Sequence, residues 1–387
     1  MTLEQKLFID LLKASMTGAP AILTEEPDWQ SLTKLARIHN LGAMVYDGLR
    51  KSGLTAPEEA AQKLHQAYMQ AIFRDVQLEQ IAEQLGAALE NAGVDHIFLK
   101  GSVLKHNYPI PALRTMSDLD ILVYAKDFEK IAQVAKELNA KACAGDGNHR
   151  NYVFGKYVTV EFHPNLLHHA TPVGTGINPG WQYAKESPHH GKELTEEGFY
   201  LNTICHLANH FVGGGVGVRF VLDVWVNRNL REPKADRAFV EESLKQFGLL
   251  DFAQKIEQLA DTWFGQAPMT ALLEELGEYI LTSGSHGTTD RAILNAMSLS
   301  PGGNRLSALW KKAFYPRAEL EDRYPWCKGK PLLLPAAWMA RAYRAVTQNG
   351  NLIAKWGKGS GKIQKAEVME NKAKMHRFGI KQKDNQG

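Results

Sequence analysis

The chain is poor in cysteine. Its 387 residues include only three, Cys143, Cys205 and Cys327, and these lie far apart. An odd and widely spaced set provides neither a disulfide framework nor a cysteine-based zinc motif. We therefore expect a reducing compartment, and we predict a cytoplasmic protein.

Long apolar runs are also missing. No stretch reaches the roughly 18 apolar residues of a membrane-spanning helix, and the nearest candidate, residues 331–340, is broken by Pro335 and followed by Arg341. Residues 1–6 do not combine a basic segment with an apolar core, so no signal peptide is predicted. We expect no transmembrane segment.

The charge has no dominant sign over the whole chain. The formal net charge is +3, which gives no reason to expect a nucleic-acid partner. Residues 355–387 are different, because they hold eight Lys and one Arg against three acidic residues. We predict that residues 351–387 form a basic mobile tail, with contact to nucleic acid or an anionic membrane as alternatives.

The hydrophobic pattern divides the rest of the chain into three parts. Residues 1–93 show helical periodicity, residues 94–194 alternate short apolar strands with one amphipathic helix and a long loop, and residues 195–350 are again helical. The turn at Gly155 predicts a hairpin between its two flanking strands. The fold class is therefore α+β, with a mixed-sheet core flanked by N- and C-terminal helical regions.

Two aspartates open one of the predicted strands. In Ser117-Asp-Leu-Asp-Ile-Leu-Val123, the period-two geometry of a strand points Asp118 and Asp120 to the same face. Two adjacent carboxylates repel each other unless a cation lies between them. Glu161 stands in a second strand-like run, Val158–Phe162, and completes a predicted metal site. Three such carboxylates can hold two Mg²⁺ ions about 4 Å apart, and we predict that these same three residues are catalytic.

A Gly-Ser pair follows the first predicted strand. Gly101 allows close approach of a phosphate, and Ser102 with the amides of the following helix can donate hydrogen bonds to it. Lys100 and Arg114 flank the pair and can neutralise phosphate charge. We predict that these four residues, together with Ser117, bind the nucleotide.

Three further polar groups leave alternatives open. His163 shares a face with Glu161 by strand alternation, and it orders the metal shell, touches the acceptor or lies at a strand end. The histidines His206 and His210 are four residues apart on a predicted helix, where packing is favoured over metal binding because the sequence offers no third ligand nearby. An intermediate alternative is that their helix face lines the acceptor cleft. Arg219 and Asp223 have the same spacing and are predicted to form an i,i+4 ion pair, with contact of Arg219 to a phosphate as the alternative.

The order of these motifs resembles a known superfamily. Gly101-Ser102, Asp118-x-Asp120 and Glu161 resemble the polymerase-beta-like nucleotidyltransferases. The strings FLKGSVLKHNYPIPALRTMSDLDILV, VEFHPNL and HLANHFVGGGVGVRFVLDVW are similar to an uncharacterised bacterial nucleotidyltransferase family with helical flanks. Lys100 departs from the superfamily, which often has a second glycine or an aromatic residue before the Gly-Ser pair.

The resemblance implies transfer of a nucleoside monophosphate from an NTP, such as ATP, to an acceptor, with Mg²⁺ as cofactor and pyrophosphate as leaving group. The acceptor, a small molecule or a protein, is not identified by the sequence. Phosphoryl transfer, AMPylation-type protein modification and a non-catalytic nucleotide-binding module are the alternatives.

Overall fold

The computed structural model describes residues 1–380, apart from 144–148, 167–179, 232–234, 286, 305–306, 309, 311–313, 316, 345–346, 348–360 and 362. Part of the predicted loop and much of the predicted tail thus lie outside the described residues. Within the described helices, no segment is both long and apolar enough to cross a bilayer.

The predicted N-terminal helical region consists of four helices: α1 (Leu3–Thr17), α2 (Trp29–Ile38), α3 (Gly42–Ser52) and α4 (Glu58–Asn91). The start of α1 is fixed by a capping box, in which the Thr2 side chain accepts a hydrogen bond from the Gln5 amide and the Gln5 side chain binds the Thr2 amide. α4 is 34 residues long and contacts both α3 and the sheet.

The sheet has six strands in the order β3-β4-β5-β2-β1-β6. Their ranges are β1 (His96–Phe98), β2 (Asp118–Val123), β3 (Lys141–Cys143), β4 (Arg150–Phe154), β5 (Val158–His163) and β6 (Gly191–Lys192). β2 pairs with β5 in parallel and with β1 antiparallel, so the sheet is mixed, and the predicted α+β fold is confirmed. β4 and β5 form the predicted antiparallel hairpin.

Strand alternation gives the sheet two different faces. Leu119, Ile121 and Val123 of β2 pack in an apolar cluster that also contains Val160 and Phe162 of β5. Side chains of α4 and of α6 (Phe128–Glu137) complete this cluster. Because neighbouring strand residues point in opposite directions, the polar residues of β2 and β5 face the other side of the sheet.

The C-terminal half is helical: α7 (Glu196–Gly213), α8 (Val218–Val226), α9 (Arg237–Phe247), α10 (Leu250–Phe264), α11 (Ala271–Leu281) and α12 (Thr289–Ser298). The sequence predicts one helix over 236–265, and the structure has two. Gly248 takes a φ of 71° and ends α9, a left-handed conformation that glycine adopts without strain. Further on, Arg317–Arg323 and residues 334–344 are helical.

The prediction of a mobile tail is wrong for its second half. Lys365–Arg377 form a helix, and Val368, Met375 and Phe378 are buried. Met375 and Phe378 belong to the largest apolar cluster, which also contains side chains from α1, α7 and α10. The hydrophobic effect therefore holds this basic segment against the body of the protein. The same cluster contains residues from all four predicted regions. The predicted division of the chain into these regions stays a prediction.

Candidate active site

The polar face of the sheet brings two of the predicted carboxylates together. In the parallel pairing of β2 with β5, Asp120 lies directly opposite Glu161. Donor atoms of Asp120, Glu161 and His163 all lie within 4.8 Å of one another. Carboxylate oxygens and an imidazole nitrogen at this spacing form a donor set for a divalent cation. The alternation argument thus placed His163 on the correct face.

Asp118 lies two residues before Asp120 on the same strand, opposite Thr159. It lines the same cavity as Asp120 and Glu161 but lies outside the three-residue donor set. Its carboxylate accepts a 3.3 Å hydrogen bond from the hydroxyl of Ser117, which also lines the cavity. Asp118 therefore lies beside the donor set rather than within it.

Asp120 is the electrostatic centre of the cluster. It is buried, with 8% of its surface exposed, and burial alone would raise its pKa. The Lys100 ammonium at 2.6 Å and the His163 imidazole at 2.8 Å reverse this effect and hold the pKa of Asp120 well below its ordinary value. Asp120 is therefore a permanent anion.

Glu161 has the opposite shift. Burial, followed by repulsion from Asp120, raises its pKa above the ordinary value. Neighbouring basic groups thus stabilise the carboxylate of Asp120, whereas the charged form of Glu161 remains electrostatically unfavourable. A cation bound between them would relieve that cost, so the residues present fit a divalent metal.

The Gly-Ser turn that the sequence predicts to bind phosphate follows β1, and phosphate binding there stays a prediction. Lys100 has a φ of 55° and a ψ of −122°, an uncommon conformation for a residue with a side chain, and helix α5 (Gly101–Leu104) follows it. The Ser102 hydroxyl donates to the Leu99 carbonyl at 2.8 Å, so here it satisfies the backbone of the turn. Lys100 and Gly101 line the cavity.

Gly101 also has a packing role that the sequence did not reveal. A Cβ at this position would lie 2.1 Å from Nη1 of Arg114. Glycine is therefore required here for the guanidinium to fit, whether or not a phosphate approaches the same backbone.

The predicted pair of Arg219 with Asp223 is wrong. Asp223 accepts two hydrogen bonds from Arg114, at 3.2 and 2.6 Å, and a third from the Tyr108 hydroxyl at 2.6 Å. Burial alone would lower the pKa of Arg114, but the neighbouring Asp223 carboxylate raises it above its ordinary value. Arg114 lines the cavity, but Asp223 already compensates its charge.

Arg219 instead donates to the Thr115 carbonyl at 2.7 Å. Burial, reinforced by the nearby Arg114, lowers its pKa to about 10. Among the described residues it has no carboxylate within salt-bridge distance, and it lines the cavity. Sequence reasoning favoured the helical ion pair for this arginine and kept a phosphate contact as the alternative, which stays a prediction.

Helices α7 and α8 form the wall opposite the carboxylates. This wall contributes Phe199, Thr203, His206, His210 and Phe220. The two histidine rings lie 4.4 Å apart and both contact Phe220. Burial, with smaller effects of Lys100 and His210, holds the pKa of His206 well below its ordinary value. In the described part of the chain neither histidine joins a three-donor metal group, and the roles of both stay open.

The long loop is described from residue 180 onwards, and two contacts are formed there. Trp181 stacks on Tyr124 with ring centroids 4.1 Å apart, and Ala184 bridges to Leu194. Residues 167–179 lie outside the described structure. A loop of this length, residues 165–194, is predicted from the sequence to act as a lid that closes over the acceptor, and this stays a prediction.

The site thus combines a mixed sheet with helical flanks, a buried acidic cluster, and Lys100 in the adjoining turn. The chain belongs to the uncharacterised nucleotidyltransferase family, whose model matches residues 25–265, more than half of its length. This match spans α2 to α10 and contains every residue of the cluster. No curated protein and no solved structure matches the chain significantly.

Proposed function

We infer that the protein is a divalent-metal-dependent nucleotidyltransferase of the polymerase-beta-like type. The supporting observation is the convergence of Asp120, Glu161 and His163 at a cavity whose walls also carry Lys100 and Arg219. Anionic and cationic groups thus lie side by side, as binding of a metal–triphosphate requires. The family match supports transferase chemistry at a coarse level.

In the proposed reaction, an acceptor hydroxyl attacks the α-phosphorus of an NTP. A new phosphorus–oxygen bond forms, the bond to the bridging oxygen breaks, and pyrophosphate leaves. Asp118, Asp120 and Glu161 would hold Mg²⁺, with His163 as a further donor. Bound divalent ions supply charge stabilisation to the attacking and leaving oxygens.

Lys100 and Arg219 are the residues we assign to the phosphates. The Lys100 side chain is 23% exposed and flexible, so its ammonium can exchange Asp120 for a phosphate oxygen. Arg219 is half-buried and has no carboxylate within salt-bridge distance among the described residues, so an anionic ligand would stabilise its charge. Glu161, at the cavity surface, is positioned to accept the proton of the acceptor hydroxyl.

The wall of α7 and α8 is then the acceptor side. The part of this wall that Phe199, Thr203 and Phe220 form carries no charge, whereas the charged residues of α8 that line the cavity, Arg219 and Asp223, lie beside Arg114. We assign the acceptor to this wall for that reason.

The test uses ATP, GTP, CTP and UTP carrying label either at the α- or at the γ-phosphorus. Each is incubated with the full chain, Mg²⁺ and separate small-molecule and protein fractions of a cell extract. Nucleotidyl transfer predicts α-label on an acceptor and γ-label only in pyrophosphate. Asp120→Asn should abolish transfer, while Glu241→Gln, an exposed carboxylate on α9, should not.

Two results would overturn the proposal. Transfer of γ-label alone would indicate a phosphotransferase on the same scaffold. A calorimetric titration showing no Mg²⁺-dependent binding of non-hydrolysable NTP analogues would remove the enzymatic interpretation altogether.

A further inference from the structure

The segment from Trp326 to Arg344 leaves large apolar side chains uncovered. Leu332 is 94% exposed, Met339 67% and Tyr343 72%. Leu332 lies in the short 3₁₀ turn Pro331–Leu333, and the other two lie in the helix 334–344 that follows it. Single exposed apolar residues are ordinary, but such a concentration is typical of an interaction surface.

These three side chains follow helical spacing. Met339 and Tyr343 are four residues apart and therefore lie on the same face of the helix, and Leu332 precedes Met339 by two turns. We call them the outer face. The opposite face packs inward, because Ala337 belongs to a small buried cluster with Leu320, Tyr324 and Cys327. The helix is thus apolar on both sides, and none of the described residues covers the outer one.

Two exposed lysines, Lys328 and Lys330, shortly precede Leu332 in the chain. Arg344 is exposed too, but its guanidinium lies over the Tyr324 ring of the inner cluster. From Arg323 to Arg344 the sequence has five cations and no acidic residue. The preceding helix is acidic, and its Glu321 accepts a hydrogen bond from the Gly329 amide, so the uniform sign begins only at Arg323.

The chemistry of the outer face decides between anionic partners. Leu332 and Met339 are aliphatic and cannot stack on nucleic-acid bases, which need aromatic platforms. Acyl chains, by contrast, accept aliphatic side chains, and Tyr343 with the nearby Trp326 (46% exposed) has the amphipathic character favoured at lipid headgroups. Cations beside such a face suit anionic lipids.

We propose that the outer face, with Lys328 and Lys330, docks the protein on an anionic lipid surface. Leu332, Met339 and Tyr343 enter the headgroup–acyl boundary, and the two lysines contact lipid phosphates. This docking uses no residue of the acidic cluster, so it stands independently of the proposed transfer reaction.

The experiment measures partition of the full chain onto vesicles by flotation. One set contains phosphatidylcholine with about a third phosphatidylglycerol, and the other contains phosphatidylcholine alone. We expect binding to the anionic set, weakened at high salt. Met339→Asp with Tyr343→Asp should lower the partition coefficient at least about tenfold, because charge replaces inserted apolar surface.

Ile22→Asp is the matched control. Ile22 is also exposed, at 78%, but lies outside the basic segment, so its variant should bind like the wild type. Melting curves of all variants establish that they fold. Equal binding to neutral vesicles, equal loss with Ile22→Asp, or binding of RNA or an acidic protein without any vesicle binding would each overturn the proposal.

Discussion

Replacing Glu161 by Gln should stabilise the metal-free protein and at the same time remove its response to Mg²⁺. The two carboxylates have donor oxygens no more than 4.8 Å apart. At an effective dielectric constant of about 20, two unit charges at this distance repel each other by about 3.5 kcal/mol. The Glu161 side chain is 31% exposed, so solvent screens part of that repulsion.

The variant also loses an attraction. One Glu161 oxygen lies 3.5 Å from the His163 ring nitrogen, and Gln replaces this contact by a weaker neutral one. Subtracting screening and this loss, we expect a net gain of about 1 kcal/mol in the free energy of unfolding without metal. The wild type should instead gain about 2.7 kcal/mol when Mg²⁺ is present at a hundred times its dissociation constant.

The assay is chemical denaturation in EDTA and in Mg²⁺, followed by fluorescence, with Glu241→Gln as the control that should change neither value. The reasoning fails if Glu161→Gln destabilises the metal-free protein, or if its Mg²⁺ increment equals that of the wild type. Because the readout is stability, the result does not depend on knowing the acceptor.

Four further outcomes are expected. Asp223→Asn should cost about 3–5 kcal/mol of stability, measured by denaturation, because it leaves the buried Arg114 charge without its carboxylate; retention of full stability would contradict the pairing. Arg219→Met should weaken Mg²⁺–NTP binding at least about tenfold in calorimetry while leaving the melting temperature unchanged or higher, since a buried cation is removed; unchanged affinity would exclude Arg219 from phosphate binding. His39→Gln should reduce the dependence of the melting temperature on pH below about pH 6.5. Burial lowers the pKa of His39, and its neutral ring accepts a hydrogen bond from the Val218 amide and donates one to the Leu281 carbonyl. The stability that neutral His39 provides is complete above its unfolded pKa and is lost as the pH falls through the lower folded one, so an identical slope in the variant would contradict this linkage. Phe378→Ala should destabilise by about 3–5 kcal/mol and expose the C-terminal helix to limited proteolysis; a resistant variant would show that this helix is not held by its apolar anchor.

Local patterns predict the parts of the site that single strands determine. Period-two alternation in Asp118–Val123 and Val158–His163 places the polar residues of both strands on one face, and the structure has them there. The helix α6 and the β4–β5 hairpin follow from equally local signals. The tail helix had such a signal too, since Val368, Met375 and Phe378 recur at helical spacing. The excess of lysine in the same segment led instead to the prediction of a mobile tail.

Other features depend on long-range partners and could not be predicted. The parallel pairing of β2 with β5 brings Asp120 opposite Glu161 across 41 positions. β6 has only two residues and no pattern of its own. The i,i+4 rule favours Arg219 as the partner of Asp223, but a buried carboxylate takes the partner with the best geometry, and Arg114 provides a two-point contact from 109 residues away.

The same Arg114–Asp223 contact explains how two separate elements form one cavity. Arg114 precedes β2, and Asp223 lies on α8. Arg219 of α8 reaches back to the Thr115 carbonyl beside the same strand. A buried ion pair adds little net stability, because desolvation offsets its attraction, whereas apolar contacts alone would allow α8 to slide over the sheet. We therefore infer that these polar contacts determine the distance between the helical wall and the carboxylates, and with it the space left for a nucleotide and its acceptor.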